Sequence, residues 1–167
     1  MAMVSCRKAF TAKLLQNAKK NADIFAVATD SRGSVTLGEF GKQLPDRLIE
    51  FGIAEQNAVA AAAGLAKTGK KVFVTGPACF LAARAYEQVK VDVAYNRTDV
   101  RIIGVSAGVS YGPLVCTHTT MHDFASMRAL PNLTILAPCD AVQTEYLTDL
   151  LCQLTGPVYM RMGRGDV

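Results

Sequence analysis

Hydrophobic and polar residues alternate along the chain with two different periods, which predict helices and short buried strands in turn. Residues 7–20 place Phe10, Leu14 and Leu15 at helical spacing, with polar residues between them. Residues 24–28 then form an unbroken apolar run with the length of a buried strand. The same alternation continues to the end of the chain. It predicts further strands at residues 48–51, 71–74, 100–105, 133–136 and 158–160, and further helices at residues 55–67, 80–95, 122–129 and 141–154.

Strands separated by helices are typical of an α/β fold with a doubly wound, mostly parallel sheet and helices on both faces. The chain has 167 residues and shows no linker or repeat, so we expect a single domain over residues 1–167. Ligands of such sheets bind beyond the carboxyl ends of the strands. Four connecting segments lie at those ends: residues 30–34, 52–55, 75–80 and 106–118.

The composition narrows the class of protein. Hydrophobic residues make up 50% of the chain and charged residues only 19%, which excludes a disordered chain and favours a buried interface with another chain. The net charge is +4. Basic residues nevertheless form no cluster beyond the pairs 19–20 and 70–71, so we expect no nucleic-acid partner.

The apolar runs and the cysteines indicate in which cellular compartment the protein is expected. The longest apolar run, residues 58–66, is interrupted by Gly64 and is shorter than the roughly 20 residues of a membrane span. The amino-terminal residues also lack the apolar core of a signal peptide. The 5 cysteines are scattered without a C-x-x-C pair, as in reduced thiols. We therefore expect a cytoplasmic protein that is not associated with a membrane.

One short motif is similar to a phosphate-binding P-loop. Residues 64–70 nearly match its pattern, but Lys71 stands where Ser or Thr would bind magnesium. The order of elements is also reversed, because these glycines close a helix and lead into a strand. We expect no nucleotide-phosphate site there.

A second cluster combines side chains that can bind metals, namely Cys116, His118, His122 and Asp123. The two histidines have the i, i+4 spacing of a helical metal site. The glutamate of the H-E-x-x-H motif is missing, however, because Thr119 takes its place, so we expect no bound metal. A nucleophilic pair of Cys116 and His118 is disfavoured further, since two residues this close on a loop need not face each other.

Glu55 is the carboxylate with the most informative position, because it follows a predicted strand and opens an alanine-rich helix. One interpretation is a favourable charge at a helix N-terminus, which contributes about 0.3–1 kcal/mol. The other is a buried carboxyl group that keeps its proton among apolar neighbours such as Ile53 and shares it with a ligand nitrogen. The spacing alone leaves both interpretations open.

Several segments, in order, resemble the pyrimidine-binding domain of the transketolase family. Residues 52–57 read GIAEQN and are followed by AAGLA at residues 62–66, which together resemble the cofactor-activating segment of that family. Residues 80–88 resemble its aromatic-lined helix, residues 128–140 its late strand and helix, and residues 156–165 its closing strand. The resemblance spans essentially the whole chain and looks most like the second subunit of a two-gene transketolase, without its last domain.

This resemblance implies a thiamine diphosphate-dependent enzyme that moves a two-carbon ketol unit between sugar phosphates. The aminopyrimidine of the cofactor would enter this domain, whereas a partner diphosphate-binding subunit would hold the diphosphate and Mg²⁺. The chain would then be inactive alone. We expect a homodimer or a heterotetramer, with the alanine-rich residues 58–65 at or near an interface.

The resemblance also assigns roles to individual residues. Glu55 matches the glutamate that hydrogen-bonds the pyrimidine ring nitrogen, and His118 matches the catalytic-site histidine that contacts the substrate hydroxyls. Phe80 matches the ring that packs on the pyrimidine. Tyr86 matches a second aromatic wall, although its spacing from Phe80 is also typical of a core residue. Three residues match those that hold the sugar phosphate: Arg7, Ser34 and Arg164.

One segment departs from the family pattern. An acidic Gly-Glu-Asp-Gly-like run usually precedes the histidine, and residues 112–115 read GPLV instead. Leu114 thereby replaces the aspartate that contacts the substrate hydroxyl near the reacting carbon, so the ordinary pentose-phosphate substrates are not implied. Two alternatives stay open. One is a non-catalytic dimerising module, which Leu114 and Val115 favour, and the other is a deoxyxylulose-phosphate synthase or 2-oxo acid dehydrogenase β-type domain.

Overall fold

A six-stranded sheet, in which every pair of neighbouring strands is parallel, forms the centre of the molecule. The structure is a computed structural model and describes residues 3–167. The strands are β1 Ile24–Ala28, β2 Leu48–Glu50, β3 Lys71–Pro77, β4 Val100–Val105, β5 Thr134–Leu136 and β6 Val158–Arg161. Their order across the sheet is β2-β1-β3-β4-β6-β5, so the winding reverses between β1 and β3. This confirms the predicted doubly wound α/β fold.

Helices cover both faces of the sheet. They are α1 Cys6–Lys20, α2 Gly38–Gln43, α3 Glu55–Ala66, α4 Ala78–Leu81, α5 Tyr86–Gln88, α6 Asp123–Met127 and α7 Ala141–Gln153. Phe10 of α1 and Phe40 of α2 pack with Ile103 on one face, whereas Ala58 of α3 packs with Ile102 on the other. Because successive strand residues point to opposite faces, a strand buried on both faces is apolar throughout. That is why the central strands could be predicted from unbroken apolar runs.

The strand β3 is longer than its hydrophobic pattern predicts. It continues past the predicted end at Val74 to Pro77, which pairs with Val105 of β4. The added residues are Thr, Gly and Pro, which are not apolar strand formers, so the pattern did not indicate them. Their pairing carries the chain to the carboxyl edge of the sheet just before Phe80.

The helix predicted over residues 80–95 is interrupted. The chain forms α4, a turn over residues 82–85, α5, and a π-helical segment Val89–Tyr95. Ala82 and Ala85 are almost fully buried at the turn, where their small side chains let the backbone pack closely. Alanine has the highest helix propensity, so the sequence pointed to an unbroken helix.

The segment predicted as a loop over residues 106–120 contains 3-10 turns over Gly112–His118. Val115, within these turns, has a φ of 45°. A β-branched residue rarely adopts this left-handed conformation, which glycine adopts without strain. Val115 stands at the final glycine of the acidic family run, so the sequence departure at this position introduces local backbone strain.

Two further observations concern the features from which the cellular location was predicted, namely the apolar segments and the cysteines. Within residues 3–167, no helix combines the length and the apolarity that crossing a membrane requires. All of the cysteines carry free thiols, and burial raises the pKa of Cys152 to about 11. The thiol of Cys152 is therefore protonated at neutral pH and unreactive.

Arg101 is the largest fully buried side chain and joins β4 to the end of α7. Its guanidinium donates hydrogen bonds to the carbonyl oxygens of Leu151 at 3.0 Å, Asp99 at 2.7 Å, and Leu154. It also forms an ion pair with the Asp99 carboxylate at 2.7 Å. Burial lowers the pKa of Arg101, and the charge of Asp99 acts in the opposite direction.

We expect Arg101→Met to lower the free energy of unfolding by about 2–3 kcal/mol, because buried carbonyl groups lose their donor. Urea unfolding followed by circular dichroism measures this change. Arg97→Met, at an exposed position, is the control and should change the free energy by less than about 0.5 kcal/mol. Equal unfolding midpoints for the two variants would contradict the structural role of Arg101.

Candidate active site

Glu55 lies at the carboxyl edge of the sheet, at the first residue of α3. Gly52 adopts a φ of 65° and turns the chain from β2 into this helix, and its carbonyl accepts a hydrogen bond from the Asp30 amide at 3.2 Å. The Glu55 side chain is only 1% exposed. Its Oε2 accepts a hydrogen bond from Nη1 of Arg84 at 2.8 Å, whereas its buried Oε1 has no partner within residues 3–167. A buried carboxylate oxygen without a partner is rare and marks a position that can receive a donor from a ligand.

Arg84 is a site residue that the sequence patterns did not indicate. It lies in the turn between α4 and α5, and its Cζ is 4.5 Å from the centroid of the Phe80 ring. The same guanidinium therefore contacts the Glu55 carboxylate and the Phe80 face. A buried carboxylate requires a cationic or hydrogen-bonding partner, and this requirement is the signal that could have directed attention to Arg84.

Aromatic rings continue the site from Phe80 toward the carboxyl terminus of the chain. The ring centroids of Phe80 and His118 are 5.1 Å apart, and those of Tyr111 and His118 are also 5.1 Å apart, both with edge-to-face geometry. The Cζ of Arg164 lies 4.8 Å from the Tyr111 ring centroid. Tyr111, which no sequence motif singled out, thus connects His118 to Arg164.

Arg7 and Arg164 lie close enough for their charges to interact. Nη1 of Arg7 donates a hydrogen bond to the backbone oxygen of Ser34 at 2.7 Å. Burial lowers the pKa of Arg7, and the nearby charge of Arg164 lowers it further, whereas Tyr111 and Asp166 act in the opposite direction. The buried Nε of Arg7 has no hydrogen-bond partner within residues 3–167. Two neighbouring guanidinium groups with unused donors form a region that favours an anion.

The loop that carries Tyr111 and His118 is fixed at both ends. Gly108 and Thr120 form a β-bridge, with two backbone hydrogen bonds of 3.1 Å. Immediately after this bridge, Oδ2 of the buried Asp123 accepts hydrogen bonds from Oη of Tyr159 at 2.9 Å and Nε of Arg161 at 2.8 Å. Burial and the Asp123 charge raise the pKa of the Tyr159 hydroxyl, which therefore acts as a donor.

The sequence grouped Asp123 with potential metal ligands. In the structure its carboxylate instead accepts hydrogen bonds from two side chains of β6. In the part of the chain that the structure describes, residues 3–167, no three His, Cys, Asp or Glu side chains are arranged to hold a metal ion. The side chain of His118 contacts the rings of Phe80 and Tyr111. Its Nδ1 lies 2.9 Å from Oγ1 of Thr117.

Known proteins are similar to this chain in sequence. The sequence profile of the family described as "Transketolase, pyrimidine binding domain" matches residues 2–167. The chain belongs to this family. One of its relatives, a subunit of the apulose-4-phosphate transketolase of Phocaeicola vulgatus, is 56% identical over 165 residues, which are 99% of this chain and 53% of that protein. The protein of the same name from Actinobacillus succinogenes is 41% identical over 150 residues, covering 90% of this chain and 48% of that one.

The structural comparison agrees with the sequence comparison. A solved structure described as a split gene transketolase, inactive β4 tetramer, superimposes with a TM-score of 0.88 at 34% identity. It is matched over 99% of this chain and 54% of the other. The transketolase pyrimidine-binding domain described here thus spans about half the length of the curated relatives that it matches.

Tyr86 of this transketolase domain lies in α5 and packs against the core on the α3 side. Its hydroxyl donates a hydrogen bond to the Ser126 carbonyl at 3.1 Å. These contacts are typical of a structural residue. A role for Tyr86 as the second wall of a pyrimidine pocket stays a prediction.

Several large apolar side chains are exposed on the loops at the carboxyl edge of the sheet in this transketolase domain. Leu114 and Val115, which replace the aspartate and the final glycine of the family run, are 46% and 65% exposed. Other large hydrophobic side chains are exposed on neighbouring segments of the carboxyl edge: Ile53, Val109 and Met121. Exposed apolar side chains that cluster are typical of protein interfaces, and an interface at this edge stays a prediction.

The helix α3, which was expected near an interface, buries one side within its own domain. Ala58 and Ala62 are almost fully buried, whereas Ala60 and Gly64 are exposed. Only the exposed side is available for a partner. The interface itself stays a prediction.

Proposed function

We propose that this chain is the pyrimidine-binding part of a two-subunit, thiamine diphosphate-dependent transketolase. The observation that carries the proposal is the buried Oε1 of Glu55, which has no partner within residues 3–167, in a chain of the transketolase family. Arg84, which bonds the other oxygen of Glu55, also lies on the Phe80 ring and so links the two residues. These residues fit an aminopyrimidine, which presents a ring nitrogen to a carboxyl group and a flat face to an aromatic ring. The diphosphate and Mg²⁺ would be held by a partner subunit.

When bound, thiamine diphosphate supplies the nucleophilic carbon that protein side chains lack. Within this chain, Glu55 would present its buried Oε1 to the pyrimidine nitrogen and share a proton with it, and burial would keep competing water away. Phe80 would pack on the pyrimidine ring. His118 contacts Phe80 edge-on on one side and Tyr111, whose ring contacts Arg164, on the other, which supports a role in binding substrate hydroxyl groups.

The substrate phosphate would bind at Arg7 and Arg164. A phosphate dianion matches two guanidinium groups that share one region. The hydroxyl of Ser34 is the third expected ligand. Its backbone oxygen already receives a hydrogen bond from Arg7, which places Ser34 beside that guanidinium.

For the substrate we propose a branched ketose phosphate, apulose 4-phosphate. Two relatives with high identity carry this substrate in their names. Carbon 3 of apulose bears a hydroxymethyl group in place of hydrogen, so a transfer of carbons 1 and 2 leaves a three-carbon ketone phosphate. Leu114 supports this assignment, because an apolar side chain replaces the aspartate that would hydrogen-bond an unbranched substrate near the reacting carbon.

The test uses the assembled enzyme, meaning this chain or the complete subunit that contains it, combined with a diphosphate-binding partner subunit. We expect kcat/KM to be higher for apulose 4-phosphate than for the unbranched xylulose 5-phosphate. Leu114→Asp should shift the ratio toward the unbranched donor by about 10-fold or more, because a hydrogen-bonding group discriminates strongly between substrates. Val109→Asp, on the same loop, is the control and should leave the ratio unchanged.

The outcomes separate the alternatives. Equal use of both donors by the wild-type enzyme and by Leu114→Asp would contradict the assigned role of Leu114. If a stable complex binds the cofactor but converts neither donor, the chain is a non-catalytic module of the same fold. Pyruvate consumption with an aldose phosphate would instead identify a synthase-type enzyme.

A further inference from the structure

Arg84 contacts the two residues to which the proposed function assigns the aminopyrimidine, although it bonds Oε2 of Glu55 and leaves Oε1 free of a partner within residues 3–167. Its Nη1 lies 2.8 Å from Oε2 of Glu55, and its Cζ lies 4.5 Å from the Phe80 ring centroid. A guanidinium is flat, carries several N–H donors and stacks on aromatic rings. It therefore imitates a nitrogen heterocycle that donates to a carboxylate and stacks on a ring.

The Arg84 side chain is held only at this site. Its side chain is 45% exposed, and Glu55 is its sole hydrogen-bond partner among the side chains of residues 3–167. The residue lies in the turn between α4 and α5, so its backbone is not part of a continuous helix. The long side chain can rotate into solvent without breaking any other side-chain hydrogen bond described here.

Within residues 3–167, Arg84 forms an ion pair with a single carboxylate, that of Glu55. The family pattern places two acidic residues on the loop before His118, but Pro113 and Leu114 occupy those positions here. A buried carboxylate without a cation is strongly unfavourable, so the ion pair stabilises the site when no cofactor is present.

We propose that Arg84 is a displaceable occupant of the pyrimidine site, which covers Glu55 and Phe80 until the cofactor enters and pushes it into solvent. This inference rests on the proposed function, because it requires that Glu55 and Phe80 receive the cofactor. Arg84 then lowers the cofactor affinity of the assembled enzyme, since only the fraction of molecules with Arg84 displaced is competent to bind. When the cofactor leaves, Glu55 is paired with Arg84 again and is not left as a buried carboxylate without a cation.

The experiment measures thiamine diphosphate binding to the assembled enzyme, in the presence of Mg²⁺, by titration calorimetry and by stopped-flow kinetics. Arg84→Met keeps the length of the side chain but removes its charge and its donors. We expect this variant to bind the cofactor about tenfold more tightly and to associate faster. Damage to the site would instead weaken binding, so a gain in affinity distinguishes the proposed role from a structural one.

Two further variants make the test specific. Arg84→Lys keeps a cation beside Glu55, which protects the fold, but it cannot lie flat on Phe80, so we expect a smaller gain of about threefold. Lys70→Met is the matched control, because it removes a 2.7 Å ion pair with Asp23 at the opposite edge of the sheet. It should leave the affinity unchanged.

Each outcome decides the proposal. Unchanged binding in both Arg84 variants means that Arg84 does not occupy the site, and weaker binding means that it helps to hold the cofactor, so either result overturns the inference while leaving the proposed function intact. If the wild-type enzyme and all variants bind no cofactor, the proposed function fails and the inference fails with it. Binding that appears only after Arg84 is replaced supports both.

Discussion

Glu55→Gln is expected to lower the turnover number of the assembled enzyme by about 10²–10⁴-fold, the range of a lost general acid or base. The amide cannot hold a proton for the pyrimidine nitrogen at the position of Oε1. It can still accept the Arg84 hydrogen bond, because its oxygen replaces Oε2 without a change in size. The free energy of unfolding should therefore change little, whereas activity is nearly lost.

Two measurements check this result. The first is the turnover number at saturating donor and acceptor. The second is the exchange rate of the C2 hydrogen of bound thiamine diphosphate, followed by NMR after transfer to deuterated water, which should fall together with turnover. Glu50→Gln is the matched control, since Glu50 forms an exposed ion pair with Arg32 at 3.0 Å. If Glu55→Gln exchanges and turns over like the wild type, only the interpretation of Glu55 as a helix-terminus charge remains.

Sequence patterns predicted the sheet because its strands are buried on both faces. The run IFAVA of β1 and the run VRIIGV of β4 stand out as short apolar segments between longer periodic ones. One charged residue within these runs is not explained by the hydrophobic pattern. Arg101 lies inside β4 and is fully buried, and besides Asp99 its partners lie at the end of α7, about 50 residues later in the chain. No local pattern indicates such a partner.

The site was only partly predictable for the same reason. Glu55 could be found from its position at a strand-to-helix junction. Its pairing with Arg84, however, depends on the turn that separates α4 from α5. Three alanines surround Arg84 in the sequence, and they favour helix whether or not the helix continues. Tyr111 was missed because it lies in a loop without periodicity, where only the folded structure brings it against His118 and Arg164.

The departures at Leu114 and Val115 belong together. Loss of the acidic run removes the polar group that would contact substrate, and the residue after it adopts a strained positive φ. Strained backbone persists only where the surroundings hold it, and it is frequent at functional sites. The apolar loop is thus better explained by a changed substrate or a partner surface than by an unconstrained surface loop.

Removal of either arginine of the proposed phosphate site is expected to raise the KM for a phosphorylated donor about 10- to 100-fold. Each charge-assisted hydrogen bond contributes about 1.5–3 kcal/mol, and about 1.4 kcal/mol corresponds to a tenfold change. Arg7→Met and Arg164→Met should therefore act strongly on apulose 4-phosphate and weakly on unphosphorylated apulose, because only the phosphorylated donor loses a bound group. The turnover number should stay nearly constant.

The matched control is Arg97→Met, at an exposed position on the amino-terminal side of β4. Arg7→Lys adds a finer test. It keeps the positive charge but removes the pair of N–H donors with which a guanidinium binds two phosphate oxygens at once. Its KM should lie between those of the wild type and Arg7→Met. An equal loss with both donors would mean that Arg7 acts through its hydrogen bond to Ser34, by shaping the loop, and not by holding phosphate. In that case the two guanidinium groups would share a region without sharing a ligand, and the assignment of a sugar-phosphate substrate would lose its main structural support.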